Sequence, residues 1–273
     1  RRTRNHAAAL HRAKTEQKIV SYLRAEDDPT YSTMGMCILS GRVGIGKTTV
    51  SAQVVQVLDD VTHHADGAHR GGGVGGARDK QLRAPVFIHY FIGSCAESME
   101  VKYMLAKLTQ DLRKAYAELA HRLSPGMAKP RTQPLHAFKA MPQVSLEFIT
   151  HEVAIQTFHH ALHMACEAAR AVDTHVCMLI DNLDGLSATG GESTKCTWLP
   201  DWRIGVIGQD EDHWLHRLKI VVTVKAVETK GAGMAERLAK RCHGVGRQLI
   251  TVGVPGLKRP EKEKLINAYV GRY

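Results

Sequence analysis

The feature that most constrains the fold of this chain is a glycine-rich motif between an apolar run and a helix-compatible segment. The apolar run covers residues 36–40, and the motif G-x-x-x-x-G-K-T occupies residues 41–48. The glycines of the motif let the backbone curl so that successive N–H groups point inward, and the helix that begins near Lys47 adds the positive end of its dipole. The pattern therefore predicts a strand, a phosphate-binding loop and a helix, in that order.

The chemistry of phosphate binding assigns roles to the polar residues of this motif. Lys47 is expected to reach the β- and γ-phosphates of a nucleotide, and the Thr48 hydroxyl is expected to ligate the Mg²⁺ that bridges them. The first predicted ligands are therefore a nucleotide and Mg²⁺. The predicted nucleotide-binding residues are Gly41, Val43, Gly44, Ile45, Gly46, Lys47, Thr48 and Thr49.

A second apolar run ends in a carboxylate about 130 residues further along the chain. Residues 176–180 are apolar, Asp181 follows them, and Asp184 comes three residues later. A P-loop NTPase needs an acid at the end of a strand beside the phosphate loop to hold magnesium, and Asp181 fits that role. Asp184 is a candidate to polarise the attacking water. Either aspartate could instead cap a turn or a helix.

A third buried strand is predicted over residues 218–224. In open α/β sheets, ligands bind beyond the carboxyl ends of the strands. Thr223 and Lys225 lie at that end of the predicted strand. We therefore expect them to face the γ-phosphate and to sense its presence.

Hydrophobic periodicity and turn residues predict the remaining elements. Helices are expected over residues 5–24, 47–58, 101–123, 144–172, 231–242 and 260–269, and further strands over 34–39, 85–92 and 248–252. The glycine-rich residues 63–76 are predicted to form an inserted surface loop, and residues 124–142 another loop. His159, His163 and Glu167 share one helix face at a spacing that could hold a metal, although a solvated face is the favoured interpretation.

Composition limits the classes of protein to which the chain can belong. Its 273 residues suit one large α/β domain with small appendages. No apolar run approaches the roughly 20 residues that cross a bilayer, so membrane insertion is not expected. Six scattered cysteines without a C-x-x-C pair favour a reducing, intracellular and cytoplasmic location. The N-terminus does not resemble a signal peptide, and we expect the chain to begin inside a longer polypeptide.

The net charge is +10, from 37 basic and 27 acidic residues with histidine neutral. This charge allows an RNA partner through general electrostatics. The basic residues are dispersed and aromatic residues make up 5% of the chain, so no stacking platform for a nucleic acid is apparent. Solubility together with a nucleotide ligand is the favoured interpretation.

Taken together, these motifs resemble the NACHT branch of the STAND class of P-loop NTPases, over roughly residues 10–273. The resemblance is nearest to the telomerase- and vault-associated, nephrocystin-like and WD-repeat groups of that branch. The residues that carry it are 41–48, 86–93 followed by Ser94 and Cys95, 179–186, 198–200 and 219–223. It implies a three-layer α/β sandwich with a five-stranded parallel sheet in the order 5-1-4-3-2. It also implies phosphate and magnesium roles for Lys47, Thr48 and Asp181, and a water-activating role for Asp184.

Two departures from the family pattern point to slow hydrolysis. Gly185 stands where many members have a second acid, and Lys225 stands where many have an arginine, whose planar fork grips phosphate differently. ATP is favoured over GTP because no Asn-Lys-x-Asp string occurs.

The resemblance implies a switch module of a larger multidomain protein that gates the assembly of protein partners. The alternative is a scaffold module that retains nucleotide without turnover, in a ciliary, cytoskeletal or ribonucleoprotein assembly. The predicted organisation is an N-terminal helix over residues 1–26, the NTPase core over 27–255, and the start of a helical domain over 256–273.

Overall fold

Five strands form the centre of the fold in this computed structural model. They are β1 (Met36–Gly41), β2 (Val86–Phe91), β3 (Val176–Asp181), β4 (Leu218–Lys225) and β5 (Leu249–Gly253). All neighbouring strands are parallel, and their order in space is β2-β3-β4-β1-β5. This is the predicted order 5-1-4-3-2 seen from the opposite edge. The predicted fold class is therefore confirmed as an α/β fold of the P-loop NTPase type.

The structure describes residues 6–24, 35–67, 84–123, 150–186, 196–200, 214–226, 233–242 and 249–256, together with 259, 260 and 263. The helices are α1 (His6–Arg24), α2 (Lys47–Gly67), α3 (Val101–Leu123), α4 (His151–Ala171) and α5 (Met234–Cys242). Short 3₁₀ helices cover Glu97–Met99, Leu183–Gly185 and Trp214–Arg217.

Two hydrophobic cores cover the two faces of the sheet. Strand residues such as Ile38 and Ile180 pack with α3, α4 and α5 on one face, whereas Cys37 and Leu179 pack with α1 and α2 on the other. Successive strand residues point to opposite faces, so a strand with helices on both sides must be apolar along its whole length. This is why β1 and β3 appear in the sequence as uninterrupted apolar runs, and the result is a three-layer sandwich.

Helix α1 contributes more to the core than its apolar pattern predicts. The apolar residues Ile19, Val20 and Leu23 are buried, and so is the larger Tyr22, whose hydroxyl makes it partly polar, whereas Ala13 is exposed. The Tyr22 hydroxyl donates to the Ile220 carbonyl and accepts from the Ile220 N–H, both at 3.3 Å. Helix α1 is thus tied to the middle of β4.

Several predicted boundaries are wrong by two to nine residues. Strand β1 begins two residues later than predicted, and α2 continues to Gly67, so residues 63–67 are helical and not part of a surface loop. Residues 48–66 contain no glycine or proline to end the helix. Residues 68–76 of the predicted loop lie outside the described residues.

Helix α4 begins at His151, not at residue 144. Thr150 has an extended backbone (φ −67°, ψ 154°), and its side chain accepts a hydrogen bond from the Val153 N–H. This is N-cap geometry, so Thr150 is the residue that precedes the first turn of the helix. Residues 144–149, the predicted loop at 124–142 and most of the predicted helix at 260–269 lie outside the described residues.

The face of α4 that carries His159, His163 and Glu167 makes packing contacts. His159 Nε2 lies 2.8 Å from the Trp198 carbonyl oxygen, and the His163 ring makes an edge contact with Trp214 at 5.2 Å. Glu167 forms an ion pair with Arg170 at 3.0 Å. The favoured interpretation, a solvated face, agrees with the exposed His163, whereas His159 is half-buried beside the Trp198 carbonyl. Among the described residues, no helix is long and apolar enough to cross a membrane.

Candidate functional site

The predicted phosphate loop joins the carboxyl end of β1 to the first turn of α2. Gly44 and Gly46 have φ of +74° and +94°, in the left-handed region that glycine enters without a steric cost. Gly41 has a different constraint, because a Cβ there would lie 2.8 Å from the Ile45 side chain. These backbone angles give the curled conformation that an anion-binding loop requires.

Lys47 is the first residue of α2, and its side chain lies along the loop. Its Nζ donates hydrogen bonds to the carbonyl oxygens of Gly41 at 2.9 Å and Arg42 at 3.1 Å. A lysine ammonium has three donors on a flexible stem. The ammonium is thus held at the mouth of the loop by backbone groups.

Asp181 at the end of β3 is almost completely buried, with 1% of its surface exposed. Its Oδ2 accepts from the Thr48 hydroxyl at 2.7 Å, and its Oδ1 accepts from Ser51 at 3.0 Å and from Thr223 at 2.8 Å. A buried carboxylate needs such partners. The structure therefore brings together three predicted residues, Thr48, Asp181 and Thr223, that are far apart in the sequence.

Ser51 was not predicted as a site residue. It lies three positions after Thr48 and therefore on the same face of α2, which is the signal that could have identified it. Its side chain is fully buried against Asp181. Ser51 thus fixes the second carboxylate oxygen from the helix that also carries Thr48.

Asp184 and Lys225 also meet, although not through their two side chains. The Asp184 carboxylate accepts a hydrogen bond from the backbone N–H of Lys225, at the end of β4. Asp184 lies in the 3₁₀ helix that follows β3, and it is exposed. The predicted water-activating acid is thus tied to the strand that carries the predicted sensor residues.

Asn182 is the second residue of the site that the sequence did not reveal. It has left-handed backbone angles (φ 61°, ψ 48°), its N–H donates to the Thr223 hydroxyl at 2.7 Å, and its Nδ2 donates to the Ile92 carbonyl at 3.2 Å. Asparagine is among the few non-glycine residues that tolerate this conformation. Asn182 therefore links the ends of β2, β3 and β4.

These residues enclose a cleft of about 360 Å³ at the carboxyl ends of β1, β3 and β4. This volume falls within the roughly 300–1,000 Å³ of small-molecule sites. Asp181 lies beneath the cleft, and Gly41, Ile45 and Thr49 of the predicted set do not line it. The lining residues are Val43, Gly44, Gly46, Lys47, Thr48, Asn182, Asp184, Gly185, Thr223 and Lys225.

The Thr48 hydroxyl in the cleft and the Asp181 carboxylate beneath it fit magnesium. Mg²⁺ prefers oxygen ligands and is commonly held by one or two carboxylates together with substrate phosphates and water. The Thr48 hydroxyl and the Asp181 carboxylate are adjacent donors of this kind. The part of the chain that the structure describes contains no group of three or more His, Cys, Asp or Glu residues that could hold a metal.

Comparison with known proteins includes a weak likeness to a solved structure. No protein-family model matches the chain, and no curated protein matches it. A solved structure of the ORC2 protein of Aeropyrum pernix, in ADPNP–ADP complexes, is similar at 11% identity and a TM-score of 0.48. The match covers 95% of this chain and 52% of that one, so this chain spans about half the length of that protein. The sheet order, the loop geometry and the strand-end aspartate together give the chain a P-loop NTPase-type fold.

Proposed function

We propose that this chain binds a nucleoside triphosphate with Mg²⁺, preferring ATP, and hydrolyses it slowly as a NACHT/STAND-type switch module of a larger protein. The contact between Thr48 and Asp181 at 2.7 Å carries the proposal. It joins the start of α2 to the end of β3, at the base of a loop whose glycines have the angles of an anion nest. A loop of this kind without an adjacent strand-end acid would support phosphate binding alone.

The charges around the cleft suit a polyphosphate. Lys47 and Lys225 both line it, and the N-terminus of α2 adds the positive end of a helix dipole. When bound, Mg²⁺ would neutralise charge on the β- and γ-phosphates, and Thr48 and Asp181 are the residues that would hold it. The neighbouring hydroxyls of Ser51 and Thr223 keep the Asp181 carboxylate oriented toward Thr48.

The surroundings of Asp184 support slow hydrolysis. One of its carboxylate oxygens already accepts the Lys225 N–H, and its neighbour Gly185 offers no second acid. Asp184 also lines the cleft. A single, partly engaged carboxylate supports general-base catalysis, but it does so less effectively than a fully available acid.

The same contact favours a second candidate function, a scaffold module that retains nucleotide without turnover. If Asp184 serves only to anchor the end of β4, no other acid lines the cleft among the described residues. The two candidates share a nucleotide site and differ in turnover. In either case the partners are proposed to be other domains of the same chain and proteins of a larger assembly.

Substitution of Lys47 tests the shared site. We expect Lys47→Ala to weaken ATP binding about ten- to a hundredfold, because charge-assisted hydrogen bonds contribute roughly 1.5–3 kcal/mol. The measurement is the Kd of a fluorescent ATP analogue with Mg²⁺. Lys114→Ala is the matched control, since Lys114 is an exposed lysine of α3 outside the cleft. Tight binding that survives Lys47→Ala unchanged would refute the proposal.

Turnover separates the two functions. For the switch, the wild-type chain releases phosphate slowly, and Asp184→Asn abolishes release while ATP still binds. For the scaffold, the wild-type chain binds ATP with no release above that of Asp184→Asn. Phosphate release under single-turnover conditions measures the difference.

A further inference from the structure

Arg12 of helix α1 contacts the phosphate loop from a side that does not line the cleft. The residue is 7% exposed. Its guanidinium donates to the Ile45 carbonyl oxygen at 2.5 Å and, over a longer 3.5 Å, to the Gly46 carbonyl oxygen. These residues are more than 30 positions away in the sequence, and no feature of the motif indicates the contact.

The carbonyls that Arg12 holds belong to the peptide groups whose N–H groups are those of Gly46 and Lys47. In a planar trans peptide the C=O and N–H bonds point in opposite directions. A guanidinium that binds both carbonyls therefore turns both N–H groups away from itself. Gly46 and Lys47 line the cleft and Arg12 does not, so the N–H groups are directed toward the cleft side of the loop.

The contact also bears on Gly46 and on the start of α2. A Cβ at Gly46 would collide with the Arg12 guanidinium, so a side chain there would displace Arg12 from the loop, and the φ of +94° independently favours glycine. The Gly46 carbonyl also accepts the Val50 N–H at 3.2 Å, within the first turn of α2. Arg12 thus acts where the loop becomes helix, and its positive charge adds to the field at that helix end.

We propose that Arg12 is a positioning residue that orients the anion-binding N–H groups of the phosphate loop, and that it couples helix α1 to nucleotide affinity. The inference rests on the proposed nucleotide site. Helix α1 is itself held by Tyr22 on β4 and by the core it shares with α2. A movement of α1 therefore changes the geometry of the loop through one side chain.

The test compares Arg12→Gln and Arg12→Lys with the wild-type chain and with Lys18→Ala, a control at an exposed position of the same helix. The measurements are the Kd values for ATP and ADP with Mg²⁺, and the melting temperature of each ligand-free protein. We expect Arg12→Gln to weaken the binding of both nucleotides by about tenfold. A loop N–H that is no longer oriented toward the phosphates loses one charge-assisted hydrogen bond, which is worth that order of affinity. Arg12→Lys should show a smaller loss, since an ammonium cannot hold two carbonyls with a planar fork.

Comparison of ATP with ADP distinguishes positioning of the loop from a direct contact of Arg12 with the γ-phosphate. The loop N–H groups cradle the α- and β-phosphates, which ATP and ADP share, so both should lose the same factor. If Arg12→Gln loses affinity for ATP alone, the inference is overturned. A lower melting temperature of Arg12→Gln together with wild-type Kd values overturns it as well. If Arg12→Gln does not fold, the Kd of Arg12→Lys decides, and a wild-type value overturns the inference. Failure of the wild-type chain and Lys18→Ala to bind either nucleotide would instead refute the proposed function.

Discussion

Thr223 has two hydrogen-bond partners that bear on its predicted role as a γ-phosphate sensor. Its hydroxyl donates to Asp181 Oδ1 and accepts from the Asn182 N–H, and its side chain is fully buried. A hydroxyl has one donor hydrogen, and here that hydrogen is engaged by the carboxylate. Thr223 lines the cleft, yet the contacts it makes orient Asp181 and the turn after β3. Sensing by Thr223 stays a prediction.

Replacement of Thr223 separates these two roles. We expect Thr223→Val to lower the free energy of unfolding by about 1–3 kcal/mol, because the Asn182 N–H loses its hydroxyl acceptor and Asp181 Oδ1 keeps only the hydrogen bond from Ser51. It should also reduce the Mg²⁺-dependent part of nucleotide affinity. Thr223→Ser, which keeps the hydroxyl, should retain both the stability and the affinity of the wild-type chain. Urea denaturation and nucleotide titrations with and without EDTA measure the effects. An unchanged free energy of unfolding together with weaker binding of ATP but not of ADP would favour the sensor role.

At the scale of elements, the cysteines of the strands are buried, whereas a cysteine in a turn is exposed. Burial raises the pKa of Cys37 in β1 and of Cys177 in β3 to about 12, and the charge of Lys219 opposes that rise at Cys177. The Cys177 thiol also donates to the Leu23 carbonyl at 3.1 Å. Cys95 lies in the turn after β2 and is exposed. The chemical reactivity of the thiols should therefore follow the position of each element in the sheet.

Thiol labelling at pH 8 checks this expectation. Only the thiolate reacts, so Cys95 should be modified rapidly while Cys37 and Cys177 react only when the protein unfolds. Peptide mapping by mass spectrometry follows each site, with Cys95→Ser as the control. Unfolded thiols ionise near pH 9 and the two buried thiols near pH 12, so the stability they contribute is present below pH 9 and is lost as pH rises through that window. Rapid native labelling of Cys37 would contradict the strand placement.

The boundaries of the elements show which parts of the fold were predictable. The start of α2 at Lys47 and the end of β3 at Asp181 follow from local residue patterns, and both agree with the structure. The start of α4 was placed too early because residues 144–149 are also compatible with a helix, and the deciding signal is the single cap at Thr150. Boundaries that depend on one side chain are poorly determined by periodicity.

At the scale of the whole molecule, the cleft exists because three strands end at the same edge of the sheet. Strands β1, β3 and β4 pair in parallel register, with Leu39 opposite Thr223 and Ile180 opposite Val222. Parallel pairing brings their carboxyl ends together although the segments are about 40 to 180 residues apart in the sequence. A ligand in this cleft contacts all three segments, so its binding should stabilise the entire fold.

Thermal unfolding measures that stabilisation. A ligand at a hundred times its Kd adds about 2.7 kcal/mol, so Mg–ATP should raise the Tm by roughly 5–10 °C for a chain of this size. Asp181→Asn should remove the part of the shift that depends on Mg²⁺, whereas Asp111→Asn on α3 should not. Scans with Mg²⁺ and with EDTA provide the comparison. An equal Mg²⁺-dependent shift in Asp181→Asn would exclude Asp181 from the proposed metal site.

The amino-acid sequence by itself determined the class of fold and the identity of the loop, Asp181 and the strand that carries Thr223. These are local properties, because glycine spacing, a helix start and an uninterrupted apolar run each depend only on residues that are neighbours in the sequence. The tertiary structure decided which side chains meet. Arg12 behind the loop, Ser51 beside Asp181 and Asn182 between three strands depend on contacts over 30 to 130 residues, which arise only when the sheet and its two helical layers have packed.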